Sequence, residues 1–185
     1  MFNVKKLAFG AALLAASAVC FAAPKVEIVT SEGNIVVNLN EKAAPTTVAN
    51  FVKYANEGFY NGTIFHRVIN NFMIQCGGFD RNLHQKSTHA PIKLEDKNGL
   101  KNTVGTIAMA RTNNPDSATS QFFINLKDND FLNGTSTKDG YAVFGEVVSG
   151  MDVVRKIGRA PTGSKGFMDD VPVRPVIIES VKVLK

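Results

Sequence analysis

The side chains able to do chemistry fall in two short stretches, Ile64 to Cys76 and Ser120 to Leu126. Arg67, Gln75 and Gln121 set one fixed cation and two amides among Phe65, Val68, Ile69, Phe72, Met73 and Phe123. Both stretches read as strands, because they are rich in aromatic and branched apolar residues and bounded by Asn, Gly and Asp. Alternation puts Phe65, Arg67 and Ile69 on one face and Ile64, His66 and Val68 on the other. A solitary arginine there would lay its stem on apolar surface and send its head to water. With two amides and an apolar floor for company, it makes a candidate site. The stretches hold no serine or cysteine set with a histidine and a carboxylate, no paired acids and no phosphate-cradling glycine loop, so hydrolysis and group transfer are poorly supported. His84 and His89 lie in a loop and His66 on a strand. That spacing does not suit a metal, and neither metal nor other cofactor is expected.

The elements that must position these residues follow in order. Lys25 to Ser31 and Asn34 to Asn40 alternate apolar with polar about Glu32-Gly33, a hairpin pattern. Pro45 opens a helix over Thr46 to Asn56, with Val48, Phe51, Val52 and Ala55 at helical spacing and Gly58 as its stop. Asn70-Asn71 provides a bend that tolerates left-handed geometry. Residues 77 to 103 have little periodicity, a long irregular stretch of the functional kind. Val104 to Ala110 is a strand. The loop from Lys127 to Gly140 carries Phe131-Leu132, an apolar pair suited to the rim of a pocket or to plugging a barrel end. Tyr141 to Val147 is a strand, Gly150 to Gly158 a short amphipathic helix, and Val173 to Leu184 a final strand. Asn61-Gly62-Thr63 and Asn133-Gly134-Thr135 match the glycan acceptor pattern but read as turns. Many antiparallel strands with two helices suggest a closed barrel with helical caps.

The 185 residues, 44% hydrophobic and 20% charged, suffice for one domain with a real core. Lys5 and Lys6 precede an apolar run from Leu7 to Phe21, about 15 residues where a membrane span needs roughly 20. Residues 1–22 read as a cleavable secretory signal cut after Ala22, leaving 23–185 as a single domain with no stable membrane association. Removing Lys5 and Lys6 from 21 basic residues, against 16 acidic, leaves a mature charge of +3. The basic residues are scattered without aromatic interleaving, so nucleic-acid binding is not indicated. Of the two cysteines, Cys20 leaves with the signal and Cys76 has no partner. Cys76 reads as a small buried hydrophobe or as a reactive thiol.

Phe65-His66-Arg67-Val68-Ile69 with Phe72-Met73-Ile74-Gln75, then Gly105 to Ala110, Ser120-Gln121-Phe122-Phe123-Ile124 and Val143-Phe144-Gly145 closely resemble the cyclophilin family of peptidyl-prolyl cis-trans isomerases. The resemblance runs from about Val26 to Leu184. It implies a mainly β fold, an eight-stranded antiparallel barrel capped by two α-helices, and acceleration of rotation about X-Pro bonds. Carried over by position, Arg67 is the catalytic residue. Phe72, Met73, Phe123 and Leu132 form a proline pocket, and Gln75, Ala110 and the main chain at Arg111 hold the substrate. Gln121 places Gln75 or the peptide, and Phe131 and Tyr141 stand at the rim.

Phe131 stands where many relatives have tryptophan, a change associated with weak cyclosporin binding. Tyr141 stands where many have histidine, Arg111 for an asparagine that acts through its backbone, and Cys76 for a glycine. The expected partners are proline-containing unfolded or partly folded polypeptides met by a monomer. Leader and activity together favour the periplasm and the folding of exported proteins. The competing class is a proline-binding chaperone module with little turnover. A thiol redox function through Cys76 is a third reading that lacks a resolving cysteine.

Overall fold

The computed structural model describes residues 24–184. The segment read as a secretory signal lies outside the described residues. Among the described residues ten strands are present: β1 Lys25–Thr30, β2 Gly33–Leu39, β3 Arg67–Ile69, β4 Met73–Cys76, β5 Thr106–Met109, β6 Phe122–Asn125, β7 Val143–Ser149, β8 Thr162–Lys165, β9 Met168–Pro172 and β10 Ile178–Leu184. Helix α1 spans Pro45–Asn56 and α2 Met151–Gly158.

Eight strands form one antiparallel sheet in the order β10-β1-β2-β7-β5-β6-β4-β3, while β8 and β9 make a separate hairpin. The sheet curls until its edges meet. Phe65 N–H donates to Val176 O and Ile178 N–H to Thr63 O, so the seam is an isolated bridge at Ile64 and Ile177 rather than a continuous ladder. The eight-stranded, two-helix architecture expected from the sequence is present, with this looser closure.

The core follows from the two-residue period of the strands. Val26, Ile28, Ile35, Val37, Leu39, Val68, Ile74, Cys76, Ile107, Phe122 and Ile124 point inward and are buried. Helix α1 begins on Pro45 in its first turn, where the missing N–H costs nothing. It lays Phe51 against Tyr60, Phe122 and Phe144, with ring centroids 5.2, 5.2 and 5.3 Å away. Each such pair contributes about 0.5–1.5 kcal/mol beyond the area it buries. Gly58 has φ +66° where the chain leaves the helix.

Several boundaries differ from expectation for local reasons. The first hairpin pairs Thr30 with Gly33, so its loop is Ser31-Glu32, one residue earlier than read. The stretch 64 to 66 is not regular strand, because it turns aside to bond residues 176–178. Parity is lost there. Phe65 joins Val68 in the core instead of sharing a face with Arg67 and Ile69. The final strand starts at Ile178, not Val173, and the β8–β9 hairpin precedes it. No helix of the described residues is long and apolar enough to cross a membrane.

Candidate active site

Register, more than any single strand, assembles the site. Arg67 on β3 pairs with Gln75 on β4, Gln75 with Phe123 on β6, and Phe123 with Ala108 on β5. Residues directly opposite share a face, so these four form one row across the outer surface of the sheet. One pleat along, Met73 joins Phe123, Ala108, Leu132 and Val143 in a second apolar cluster, distinct from the core, on which Ile69, Phe72, Ala110 and Tyr141 pack. The sheet thus carries a closed core inside and a small apolar floor outside.

Above that floor is a cavity of about 270 Å³ lined by Arg67, Phe72, Met73, Gln75, Ala110, Arg111, Phe123, Leu132 and Tyr141. Nine of the eleven site residues named from sequence therefore meet in one hollow. The other two stand just behind it or at its rim. Gln121 Oε1 accepts a hydrogen bond from Gln75 Nε2 at 3.0 Å, which fixes the Gln75 amide. Gly78 lies so close that a Cβ there would meet the Gln121 side chain at 2.6 Å, and only glycine lets the 77–103 loop lie over it. Phe131 is 58% exposed and stacks on Phe72, centroids 5.6 Å apart.

Arg67 keeps its head at the surface. Its side chain is 45% exposed, and its Nε lies 4.0 Å from Asp170 Oδ2, beyond hydrogen-bond reach. The guanidinium stands at the mouth of the cavity with N–H groups available to a guest. Behind it His66 is buried against Phe79, ring centroids 4.7 Å apart, and its Nδ1 has no partner. Burial lowers its pKa to about 4 from 6.5; hydrogen bonding with the Ile64 backbone opposes this, the charge of Arg67 adds to it, and the Gln121 side chain opposes it. His66 is neutral at pH 7.

The bend before Phe72 is made as expected, with Asn71 at φ +59°. Leu132 is carried on a single 3-10 turn, Asp130–Leu132, within the 127–140 loop. Cys76 is fully buried in the core, and burial pushes its thiol well above the usual range, so it is the small hydrophobe of the two readings. His84 and His89 are both exposed loop residues, His89 with its Nε2 2.7 Å from Glu57 Oε2 and its ring on Tyr54. Among the described residues no group of three or more His, Cys, Asp or Glu is placed to hold a metal.

The profile of the family described as "Cyclophilin type peptidyl-prolyl cis-trans isomerase/CLD" matches residues 25–183. The chain belongs to the cyclophilin family. A peptidyl-prolyl cis-trans isomerase of Acinetobacter baylyi is 55% identical over 180 residues, covering 97% of this chain and 96% of that protein. Peptidyl-prolyl cis-trans isomerase B of Escherichia coli is 60% identical over 157 residues, 83% of this chain and 96% of that one. The crystal structure of a Cryptosporidium parvum cyclophilin in the presence of the dipeptide Ala-Pro superposes with a TM-score of 0.73 at 26% identity, covering 87% of this chain and 99% of that one. The protein is accordingly a cyclophilin-type peptidyl-prolyl cis-trans isomerase that binds proline-containing peptide substrates.

Three features of this cyclophilin were not legible in its sequence. The Arg111 side chain does more than expose its backbone: Nε donates to Gly140 O at 2.9 Å, Nη2 to Asp139 O at 3.0 Å, and the guanidinium lies over the Tyr141 ring at 4.7 Å. A buried asparagine network holds the pocket walls. Asn129 Nδ2 donates to Phe72 O and to Asn125 Oδ1, and Asn102 Nδ2 to Leu132 O and Tyr141 O. Asp170, beside Arg67, comes from a hairpin more than 100 residues away in the chain. Asparagine reads as a turn residue and Asp170 has no local signal, so only the tertiary fold discloses either.

Proposed function

We propose that Arg67 is the catalytic residue and acts by differential hydrogen bonding. An X-Pro bond resists rotation because amide resonance gives a barrier of about 18–20 kcal/mol. Twisting breaks the resonance and returns a lone pair to the proline nitrogen, which then accepts a hydrogen bond. The guanidinium is always charged and donates that bond only in the twisted state, so it lowers the barrier without tightening ground-state binding. No proton is transferred and no covalent bond is broken.

The cavity is built to hold one ring. Its volume of about 270 Å³ lies below the roughly 300–1,000 Å³ of drug-sized sites, and Phe72, Met73, Phe123 and Leu132 give it apolar walls for a pyrrolidine. Gln75, held by Gln121, and the main chain at Ala110 and Arg111 bind the substrate backbone on either side. Phe131 and Tyr141 close the rim, and the lack of an indole at Phe131 makes cyclosporin a weak ligand. The observation that carries this reading is the cross-strand row Arg67–Gln75–Phe123, which sets a cation, an amide and an apolar floor in one line.

The clients are newly exported polypeptides in the periplasm, where the protein works as a monomer without stable membrane association after cleavage of residues 1–22. The leader composition supports this address. The test has two parts. Relaxation of an Ala-Pro peptide should be accelerated by substoichiometric protein and lose most of that acceleration in Phe123→Ala. Periplasmic extracts should contain a chain beginning at Ala23. Peptide binding without acceleration would replace the isomerase by a chaperone module, and a cytosolic, uncut chain would refute the address.

A further inference from the structure

Arg67 borders two hollows. The second has a volume of about 480 Å³ and is open to solvent. Phe79 and His66, packed together with their rings tilted by 55°, give it an aromatic wall, and Gln121 joins it to the first cavity through Gln75. The opposing wall is β9, with Met168, Asp169 and Asp170. Nothing in the proline-ring mechanism uses this space.

Its chemistry is specific. Two carboxylates face one guanidinium, so the hollow carries a local excess of one negative charge in a chain whose overall charge is +5. Asp170 Oδ2 is 4.0 Å from Arg67 Nε and not hydrogen-bonded to it, while Asp169 Oδ1 accepts from Ser164 Oγ at 2.6 Å. Each acid therefore keeps an oxygen free. Arg67 is the only basic group on the lining, since His66 is neutral down to about pH 4. His66 Nδ1 is a buried nitrogen of this wall without a partner. An apolar and aromatic bed ending in carboxylates fits one kind of side chain, a long aliphatic stem with a cationic head.

We propose that this hollow is a second substrate subsite, selective for polypeptide segments that carry a lysine or arginine within about three residues of the isomerised proline. The proposal rests on the assignment of the first cavity to the proline ring. The reach follows from chain geometry. Each extended residue advances about 3.3–3.6 Å, and the two hollows share Arg67, so a segment seated in one passes the other within a few residues. The stem lies on Phe79 and Met168 while the head meets Asp169 and Asp170. Asp170 then serves two cations, Arg67 and the guest.

The test is a set of peptides with one Ala-Pro bond and lysine, alanine or glutamate at each of three positions on either side. Parent protein is compared with the double variant Asp169→Asn, Asp170→Asn, both exposed enough to keep the fold. The readout is the lysine-to-alanine ratio of kcat/KM within each protein, so any common change in basal rate cancels. At one position the parent should favour lysine over alanine by roughly twofold to tenfold, the range of one or two exposed ion pairs, and disfavour glutamate. The preference should lie mainly in KM, shrink at high salt, and vanish in the double variant. Equal rates for all three residues at every position would overturn the subsite, as would a lysine preference that survives in the variant. If the parent accelerated none of the peptides, the isomerase reading beneath it would fail instead, a distinct result.

Discussion

Acid should destabilise this protein through His66 by a predictable amount. The ring is 5% exposed, packed on Phe79 and set beside the Arg67 guanidinium. Burial is the largest cause of its pKa of about 4, against 6.5 for the free side chain. Between those two values the unfolded chain binds a proton that the folded chain refuses, so the stability present above pH 6.5 is lost as the pH falls toward 4. At 1.36 kcal/mol per pKa unit, the whole span amounts to about 3 kcal/mol. Moving from pH 7 to pH 4.5 crosses most of it, a loss of about 2 kcal/mol from this residue. Denaturant unfolding at the two pH values, in the parent and in His66→Gln, isolates the term, because the acids and the other two histidines titrate alike in both proteins. The parent should lose about 2 kcal/mol more than the variant. Equal losses would refute the reasoning, and would mean that His66 is protonated in the folded state.

The asparagine network gives a second expectation. Asn129→Ala leaves Asn125 Oδ1 without its donor, while Phe72 O keeps the Leu126 N–H, so the cost is about 1–3 kcal/mol for the one buried group left unsatisfied. Because the network holds a pocket wall, KM for a proline peptide should rise along with the drop in unfolding midpoint, whereas a purely structural role would leave KM of the folded fraction unchanged. Cys76 predicts the reverse separation. Cys76→Ser buries a hydroxyl among apolar neighbours and should cost about 1–3 kcal/mol in denaturant unfolding, while isomerase turnover stays near the parent value. Thiol reagents should react with Cys76 only upon unfolding, since the sulfur is fully buried; rapid labelling of native protein would contradict this.

Much of the fold could be read because a strand's side chains alternate. The inward sets Val26, Ile28 and Ile35, Val37, Leu39, and the helical set Val48, Phe51, Ala55, declare themselves by spacing alone. Ile74-Gln75-Cys76 alternates and so marks Gln75 as outward, whereas Phe122-Phe123-Ile124 is apolar throughout and only β4–β6 register sets Phe123 beside Gln75. The same rule fails at Phe65, because the chain there abandons strand geometry to close the barrel against Val176, and no local pattern announces a tertiary seam. The β8–β9 hairpin has no signal in the sequence, since Thr162–Lys165 is wholly exposed and has no apolar face to alternate. Phe167, beside its turn, is 84% exposed and packs on nothing that would mark it. With no local signal for the hairpin, Asp170 and its partial neutralisation of Arg67 are equally silent in the sequence. The surroundings of Arg67 are likewise silent in the sequence, because its neighbours in sequence are apolar while its neighbours in space are a cavity and a carboxylate.

The central claim is that Arg67 stabilises the twisted bond and little else. The most direct measurement is kcat and KM for one Ala-Pro peptide in the parent, Arg67→Ala and Arg67→Lys. Removing a main electrostatic donor should lower kcat by roughly two to three decades with KM nearly unchanged. Lysine, a point charge without the planar fork, should restore only part of the loss. Arg67→Ala turning over as fast as the parent, or losing activity through KM alone, would contradict the account.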